Sequence, residues 1–550
     1  MAINLLSPGV KITESDQVAS IAATGTTIGG FVGQFRWGPV DKAVLVTGES
    51  QLVRDFAAPN STNAVDFLTA ANFLAYSGSE FVVRVANTAL NATSNANASI
   101  LVENDDAYEG ATLTTAGLFI AKYAGALGNS LQVSICEDET AFASWAFAAS
   151  FDAAPGTSDY ADARGGADDE IHVIVVDQDG EITGVAGTVL EKFAAVSKAS
   201  DARGIEGGTN YYKNVINNTS KYIRWANHPV GGNWGGLATT TFTDGSAAFT
   251  VSLAGGTDGA AVTQGDRAQG YELFANKANI NVGVLITGQG NAATINSVIA
   301  IAEARKDCVV VFSPERADVV NNAGDEATDV AAFADTVTRS TYAIMDGNWK
   351  YQYDKYNDNY VYVPCNADVA GCIARVDLNS APWFSPAGYA NGRILNAVRL
   401  AWNPNEAERD ILYKTAVNPI FSQPGRGVVL FGDKTFTTKK TSFSRINVRR
   451  LFITIQGAIG DTAGDLLFEQ NDASTRAGFT DIVSAYLRTV QGNRGITDFR
   501  VVCDDTNNPE DVVNANEFVA DIYVRPIASI NFIQLNFVSV RGSAAFAELG

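Results

Sequence analysis

"NVGVLITGQGNAATINSVIAIAEARKDCVVVFSPE", residues 281–315, decides the class of fold. An apolar run at each end reads as a buried strand, and the stretch between them repeats apolar residues at helical spacing for about four turns. Two strands running in one direction need a helical crossover of this kind. The stretch therefore predicts a parallel sheet covered by helices. Its turn "GQGNAA" (288–293) opens a helix, where free backbone amides attract anions. It lacks both the third glycine of a dinucleotide fingerprint and the lysine of a phosphate loop, so it reads as a tight strand-to-helix turn.

Upstream, "TIGGFVGQFRWGPVDKAVLVTG" gives strand, turn and strand. "SQLVRDFA" and "NAVDFLTAANFLAYSG" follow as amphipathic helices with Ser50 and Asn63 as caps, and "EFVVRVA" as a buried strand. After residue 87 the composition turns to Asn, Ala, Thr and Gly with short strands such as "SLQVSIC", "EIHVIVVDQDGEITG" and "AAFTVSLAGG", up to about residue 265. This is a β-rich insertion. Within it "DQDGE" (177–181) has its glycine too early for a calcium loop and no glutamate at the twelfth position, so it reads as a hairpin.

Downstream, "YAIMDGNWKYQYDKYNDNYVYVP" (342–364) alternates, turns at "NDN" and alternates again. Base stacking would need basic surroundings, but Lys350 and Lys355 are cancelled by Asp354 and Asp358. The segment predicts a β-hairpin with its rings packed on protein, and sugar binding is the rival use. The last part reads as a strand "NVRRLFITI", with Arg449 and Arg450 at its start, then a helix in "DASTRAGFTDIVSAYLRTV". A strand "DFRVVCDD" and a long extended run "FVADIYVRPIASINFIQLNFVSVRG" come next. The early "VKITES" also alternates, with nothing local to pair with. Extended strands at both extremes expose unpaired backbone groups, which calls for a covering partner.

The 550 residues, 46% hydrophobic and 18% charged, describe a folded multidomain chain. Its 39 basic and 60 acidic residues give a net charge of −21, which repels a phosphate backbone and argues against direct nucleic-acid binding. Residues 437–550 hold 11 Lys/Arg and 13 Asp/Glu, so nearly all of the negative charge lies in residues 1–436. Cys136, Cys308, Cys365, Cys372 and Cys503 are odd in number and without a CxxC pair, and His172 and His228 are the sole imidazoles. Neither a metal site nor a catalytic histidine is indicated, and Cys365 and Cys372, seven apart, read as core thiols. The sequence predicts neither a cofactor nor an enzyme. No apolar run reaches the ~20 residues of a membrane helix, so membrane insertion is not expected.

Taken together, "LLSPGV", "GQFRWGPV", "AGALGNSLQVSI", "YAIMDGNWKYQYDKYND", "PWFSPAGYANGRILN", "VVLFGDKT", "INVRRLF", "RVVCDDTNN" and "INFIQLNFV" resemble, in order from residue 5 to residue 538, the tail sheath proteins of contractile-tailed bacteriophages. The resemblance implies an α/β (α+β) multidomain chain. Residues 1–22 would be an N-terminal arm, 23–87 with 266–436 a discontinuous core domain, 88–265 the β-rich inserted domain, and 437–550 a C-terminal domain next to the inner tube. It also implies strand exchange with neighbouring copies through Val10, Lys11, Ile12 and Thr13, and through Ile530, Phe532, Ile533, Leu535 and Phe537. Gly9 and Pro526 are candidate hinges, and Arg476 and Arg488 candidate tube-facing residues. The implied partners are further copies of the chain, the inner tail tube protein, and the baseplate and tail terminator proteins. The implied place is the virion tail sheath, assembled in the host cytoplasm. The rivals are the sheath of a phage-derived injection device, a nucleotide-using enzyme built on 280–313, and an adhesin using the aromatic hairpin.

Overall fold

The computed structural model describes residues 27–98, 100–228, 248–322, 324–531 and Gln534. Gly9, Val10, Lys11, Ile12, Thr13, Phe532, Ile533, Leu535 and Phe537 lie outside the described residues. The chain divides into two compact units. The larger holds Thr26–Asn379 and Pro386–Lys440, and the smaller holds Ser380–Ser385 and the chain from Thr441 onward.

In chain order the larger unit starts with β1 (Gly29–Gly33), β2 (Ala43–Val46) and β3 (Glu80–Arg84). The inserted stretch supplies β4 (Phe119–Ala121), β5 (Leu131–Cys136), β6 (Glu170–Asp177), β7 (Thr188–Ser197), β8 (Ile223–Trp225) and β9 (Phe249–Ser252). Then come β10 (Val284–Ile286), β11 (Val309–Phe312), β12 (Ala343–Asp346), β13 (Trp349–Asp354), β14 (Asn359–Pro364), β15 (Arg399–Leu400), β16 (Val417–Asn418), β17 (Ile420–Gln423) and β18 (Gly427–Leu430).

Seven strands from both sides of the insertion form one sheet in the order β16-β12-β11-β10-β1-β3-β2, parallel throughout except for the β2–β3 pair. The stretch 281–315 folds as its periodicity demands: β10, the helix Ala292–Arg305, and β11 parallel to β10. Asn291 caps that helix by accepting from the Thr294 N–H, and Lys306 ends it in the left-handed region. Gly288 is required for a packing reason. A Cβ there would lie 2.7 Å from the Phe31 ring, and φ is +55°.

The insertion builds an antiparallel sheet β7-β6-β5-β9 and a β4–β8 pair around Leu131, Val133, Ile171, Val173, Tyr212 and Ile223. The "DQDGE" segment is the start of the β6–β7 hairpin. Asp177 accepts from the N–H groups of Gly180, Ile182 and Thr183 and from the hydroxyls of Ser130 and Thr183, so its oxygens organise the loop itself. Buried Arg84, at the end of β3, donates to the carbonyls of Gly38 and Ala124, both at 2.7 Å, and so ties the insertion to the large sheet.

Three local readings are corrected. Ser50 does not cap its helix, which runs Glu49–Phe56 from Gly48 with no side-chain cap, and Asn63 precedes the helix Ala64–Leu74 without capping it, its Oδ1 accepting instead from the Asn60 N–H at 2.8 Å. "NVRRLFITI" is not a strand but the first half of the helix Ile446–Gly464. Its β-branched, apolar run imitates a strand, yet Leu451, Ile455 and Ile459 repeat every four residues and are the side chains that reach the core. Arg449 and Arg450 are thus helical, with Arg449 4.0 Å over the Phe443 ring and Arg450 donating to the Pro382 carbonyl at 3.4 Å.

In the smaller unit this helix and a second, Ala473–Gly492, enclose Phe479, Val483 and Leu487 and are covered by β19 (Ile496–Val502) and β20 (Asp521–Pro526). The long extended run of the sequence therefore contributes six residues of strand before the chain leaves the ribbon.

Candidate functional site

In an open α/β sheet, ligands bind beyond the strand C-termini where the strand order reverses. Here the reversal falls between β1 and β10, and protein groups fill the position. Asp66 accepts from the Gln34 N–H at 2.8 Å, Arg267 at 2.7 Å and Gln289 at 3.0 Å, with Asp66 and Arg267 both buried. One strand over, the Ser313 hydroxyl donates to Asp346 at 2.7 Å and accepts from the Asn366 N–H that opens the helix Asn366–Asn379. Where a nucleotide would sit, the fold has placed its own ion pair and helix end.

The other chemistry-bearing residues serve packing. The His172 ring lies flat on Phe151 at 4.4 Å, its Nε2 donating to the Ala153 carbonyl and its Nδ1 accepting from the Ala195 N–H. His228 stacks on Phe119 beside the Tyr212 hydroxyl, and burial pushes its pKa down to about 4. All five cysteines are free and buried, and burial pushes the Cys372 thiol up to about 12. Among the described residues no cluster of metal-ligating side chains occurs and no helix is long and apolar enough to cross a membrane.

What the fold leaves open is the β19–β20 ribbon. The two strands pair antiparallel with each other and, among the described residues, with no third. Phe499, Val501, Ile522 and Val524 face the helices, while Asp498, Arg500, Tyr523 and Arg525 face away. Asn508 holds the connection between the strands, donating to the Val519 carbonyl at 2.8 Å and accepting from the Val519 N–H at 2.7 Å. Beyond Pro526, which pairs with Ile496, the Ile527 N–H donates to the Gly495 carbonyl, and Asn447 donates to the Ile527 carbonyl. Asn508 and Asn447 were not singled out from the sequence. Asn508 lies within "RVVCDDTNN", where only the density of side chains able to imitate a backbone partner hints at the role.

The two arginines named from the helix Ala473–Gly492 part company. Arg476 is buried on the apolar side, donating to Asp505 at 2.9 Å and Asn471 at 3.1 Å. Arg488 is exposed. A cleft of about 310 Å³ lies between the first turns of this helix and the end of β19, lined by Ala473, Ala477, Thr480, Val501 and Cys503 beside the Arg476–Asp505 pair. Ile530 is 82% exposed.

In the hairpin β13–β14, Trp349 is buried, Tyr356 packs edge-on to Phe67 at 5.2 Å, and Lys350 is buried against Asp368 at 2.9 Å. The expectation of protein-packed rings fails for Tyr353 and Tyr360, which are 43% and 50% exposed.

Residues 260–436 match the family model of the phage tail sheath protein central domain, and residues 438–539 that of the phage tail sheath C-terminal domain. The tail sheath protein of Vibrio phage KVP40 is 32% identical over the whole of both chains. That of Enterobacteria phage T4 is 31% identical over all of this chain and 99% of its own. These alignments span 687 and 667 positions, more than the 550 residues here, so each relative carries segments without a counterpart in this chain. The sheath of an extracellular contractile injection system, solved in its contracted state, shares the fold with a TM-score of 0.53 over 98% of this chain and 99% of that one, at 13% identity. The chain belongs to the phage tail sheath proteins, a structural family and not an enzyme family.

Proposed function

We propose that the chain polymerises as a helical sheath around an inner tail tube and drives that tube by passing from a loose, long lattice to a compact, short one. The observation that carries this reading is the β19–β20 ribbon, whose outer edges pair with no other strand among the described residues. Strand addition there by Val10–Thr13 of one neighbour and by the stretch containing Ile530, Phe532, Ile533, Leu535 and Phe537 of another would cover those edges. Backbone hydrogen bonds so made hold whichever way the bodies rotate. A head-to-tail contact that does not close generates a helix of indefinite length, and rigid-body rotation between two packings sums over the lattice. No nucleotide is consumed.

On this reading the inner tube protein meets the smaller unit, with Arg488 as the surface contact and Arg476 holding Asp505 in place. Gly9 is one hinge. Pro526 marks the other, whose pivot begins after Ile527, since that residue is still held by Gly495 and Asn447. Residues 1–22 form the N-terminal arm, 23–87 with 266–436 the core domain, 88–265 the inserted domain and 437–550 the tube-proximal domain. Baseplate and terminator proteins cap the ends, and assembly takes place in the host cytoplasm. The sheath of an injection device is the second reading, supported by the shared fold.

Deleting residues 1–22 tests the reading. The truncated chain should keep its melting temperature and form no tubes in electron micrographs. Tubes of normal length from the truncated chain would refute strand exchange. A Gly9→Pro chain should assemble and fail to shorten.

A further inference from the structure

The sheet β14-β13-β15 turns two unlike faces outward and inward. Its register places Tyr351 opposite both Tyr362 and Arg399, and Tyr353 opposite Tyr360, so all five side chains share one face. The other face carries Lys350, Gln352 and Asp354, all buried, with Lys350 paired to Asp368 and Gln352 accepting from Asn72. The sheet is thus clamped from beneath, and its outer face is a preformed mosaic. The Tyr351 and Tyr360 rings stack at 5.4 Å, and the Tyr353 and Tyr360 rings lie 5.2 Å apart. The Arg399 guanidinium lies 4.6 Å from the Tyr351 ring centre and donates to the Tyr362 hydroxyl at 2.9 Å. The Arg316 guanidinium lies 5.9 Å from the Tyr362 ring.

Three features point to a partner. Tyrosine and arginine are the residue types that anchor protein interfaces, and rings already held in place lose little freedom on binding. Exposed Arg399 and Arg316 make no ion pair with a carboxylate among the described residues. These guanidinium groups, with Asp358 held at the far end of the face by the Tyr353 hydroxyl at 2.7 Å, lie on a chain of net charge −21, whose copies repel one another over most of their surface. A cationic, aromatic patch is where such copies can meet, because it offers guanidinium groups to the carboxylates that dominate the other surfaces. Nucleic acid is disfavoured by the same net charge.

We propose that this tyrosine–arginine face docks against an acidic surface of a second copy of the chain, with Tyr353 and Tyr360 as anchors and Arg399 as the ionic contact. The proposal rests on the sheath reading and names a lattice contact independent of the terminal arms.

The test uses the full chain carrying Arg399→Glu, or Tyr353→Ser with Tyr360→Ser. Both leave the buried face untouched, so circular dichroism and the melting temperature should match the unaltered chain. The protein concentration needed for tube formation, followed by light scattering and electron microscopy, should rise at least tenfold, with Arg399→Lys recovering part of the loss. Assembly at the unaltered concentration overturns the proposal and leaves the sheath reading intact. Should the unaltered chain form no tubes, the sheath reading fails and a second measurement decides the face. A photo-crosslinking residue in place of Tyr353 in concentrated protein should yield a dimer band, whereas no cross-link, or a cross-link to the inner tube protein alone, rejects the second copy as partner. Glycan-array binding lost with Tyr353→Ser and Tyr360→Ser, without any change in assembly, would reject it as well.

Discussion

In the larger unit the seven-stranded sheet ends on one side in two-residue β16 and on the other in four-residue β2, whereas in the smaller unit seven-residue β19 and six-residue β20 are, among the described residues, themselves the edges. Short outer strands are a common way to keep a sheet from recruiting another chain. A pair of long strands with both edges free does the opposite, and a lone two-stranded ribbon gains independent stability only by packing on something else. Here it packs on two helices of 19 and 20 residues. The described residues thus hold one large sheet that ends in short strands and one long ribbon with no third strand; the strand exchange proposed above would complete the ribbon.

The comparison is broken most severely by attacking the large sheet. Asp66→Ala leaves Arg267 buried without its carboxylate and removes the acceptor for Gln34 and Gln289. Removing one partner of such a pair costs about 3–5 kcal/mol. The melting transition should fall sharply, and exchange of the β1 and β10 amides should accelerate while the ribbon amides stay unchanged. Uniform acceleration in both units would mean that they do not fold as separate bodies.

Next in size, the larger unit should be improvable at Glu80 in β3. Its carboxyl is fully buried, neither oxygen has a hydrogen-bond partner, and burial raises its pKa well above the ordinary value. The folded chain therefore keeps a proton that the unfolded chain releases above about pH 4.3, so this residue makes stability fall as pH rises toward the folded pKa. Glu80→Met should stabilise by about 1–3 kcal/mol at pH 8, and the gain should shrink toward pH 4.5. Thermal melts at both pH values decide it; an equal gain at both would show that the carboxyl does not titrate as argued.

A smaller loss is expected in the ribbon. Asn508→Ala strips Val519 of both its backbone partners, a loss of about 1–2 kcal/mol. Hydrogen exchange should show it in residues 496–526 alone. Protection unchanged there would make the asparagine dispensable and the ribbon stiffer than its few partners suggest.

How much of this was open to reading depends on range. The β10–helix–β11 unit and the β13–β14 hairpin obey local periodicity, and so were legible. The helix Ile446–Gly464 was not, because Gly457, Gly460 and Gly464 argue against a helix while the β-branched residues before them argue for a strand. Packing against the second helix overrides both. Arg476 was legible in principle. It precedes Phe479, Val483, Leu487 and Val490 on the buried stripe, and Arg488, twelve residues away, points about 120° from it at 3.6 residues per turn. The two arginines could not have shared a face. Nothing local reveals the Asp66–Arg267 pair, whose members are 201 residues apart and meet because the insertion returns the chain beside β1. The terminal strand arms are an expectation from resemblance, since a sequence shows strands but not which of them lack neighbours.

The smallest expected effect sharpens the contrast from the other side. Between its two long helices the smaller unit turns at Leu467 and Phe468, which are 68% and 103% exposed, and Phe468 sits at φ +74°. A phenylalanine in the left-handed region carries a strain of about 1–2 kcal/mol that glycine does not, while glycine loses more freedom on folding. The two terms nearly cancel, and no buried area is lost with the ring. Phe468→Gly should therefore leave the melting temperature unchanged or raise it by a degree or two. A clear fall would mean that the ring holds the helix turn together.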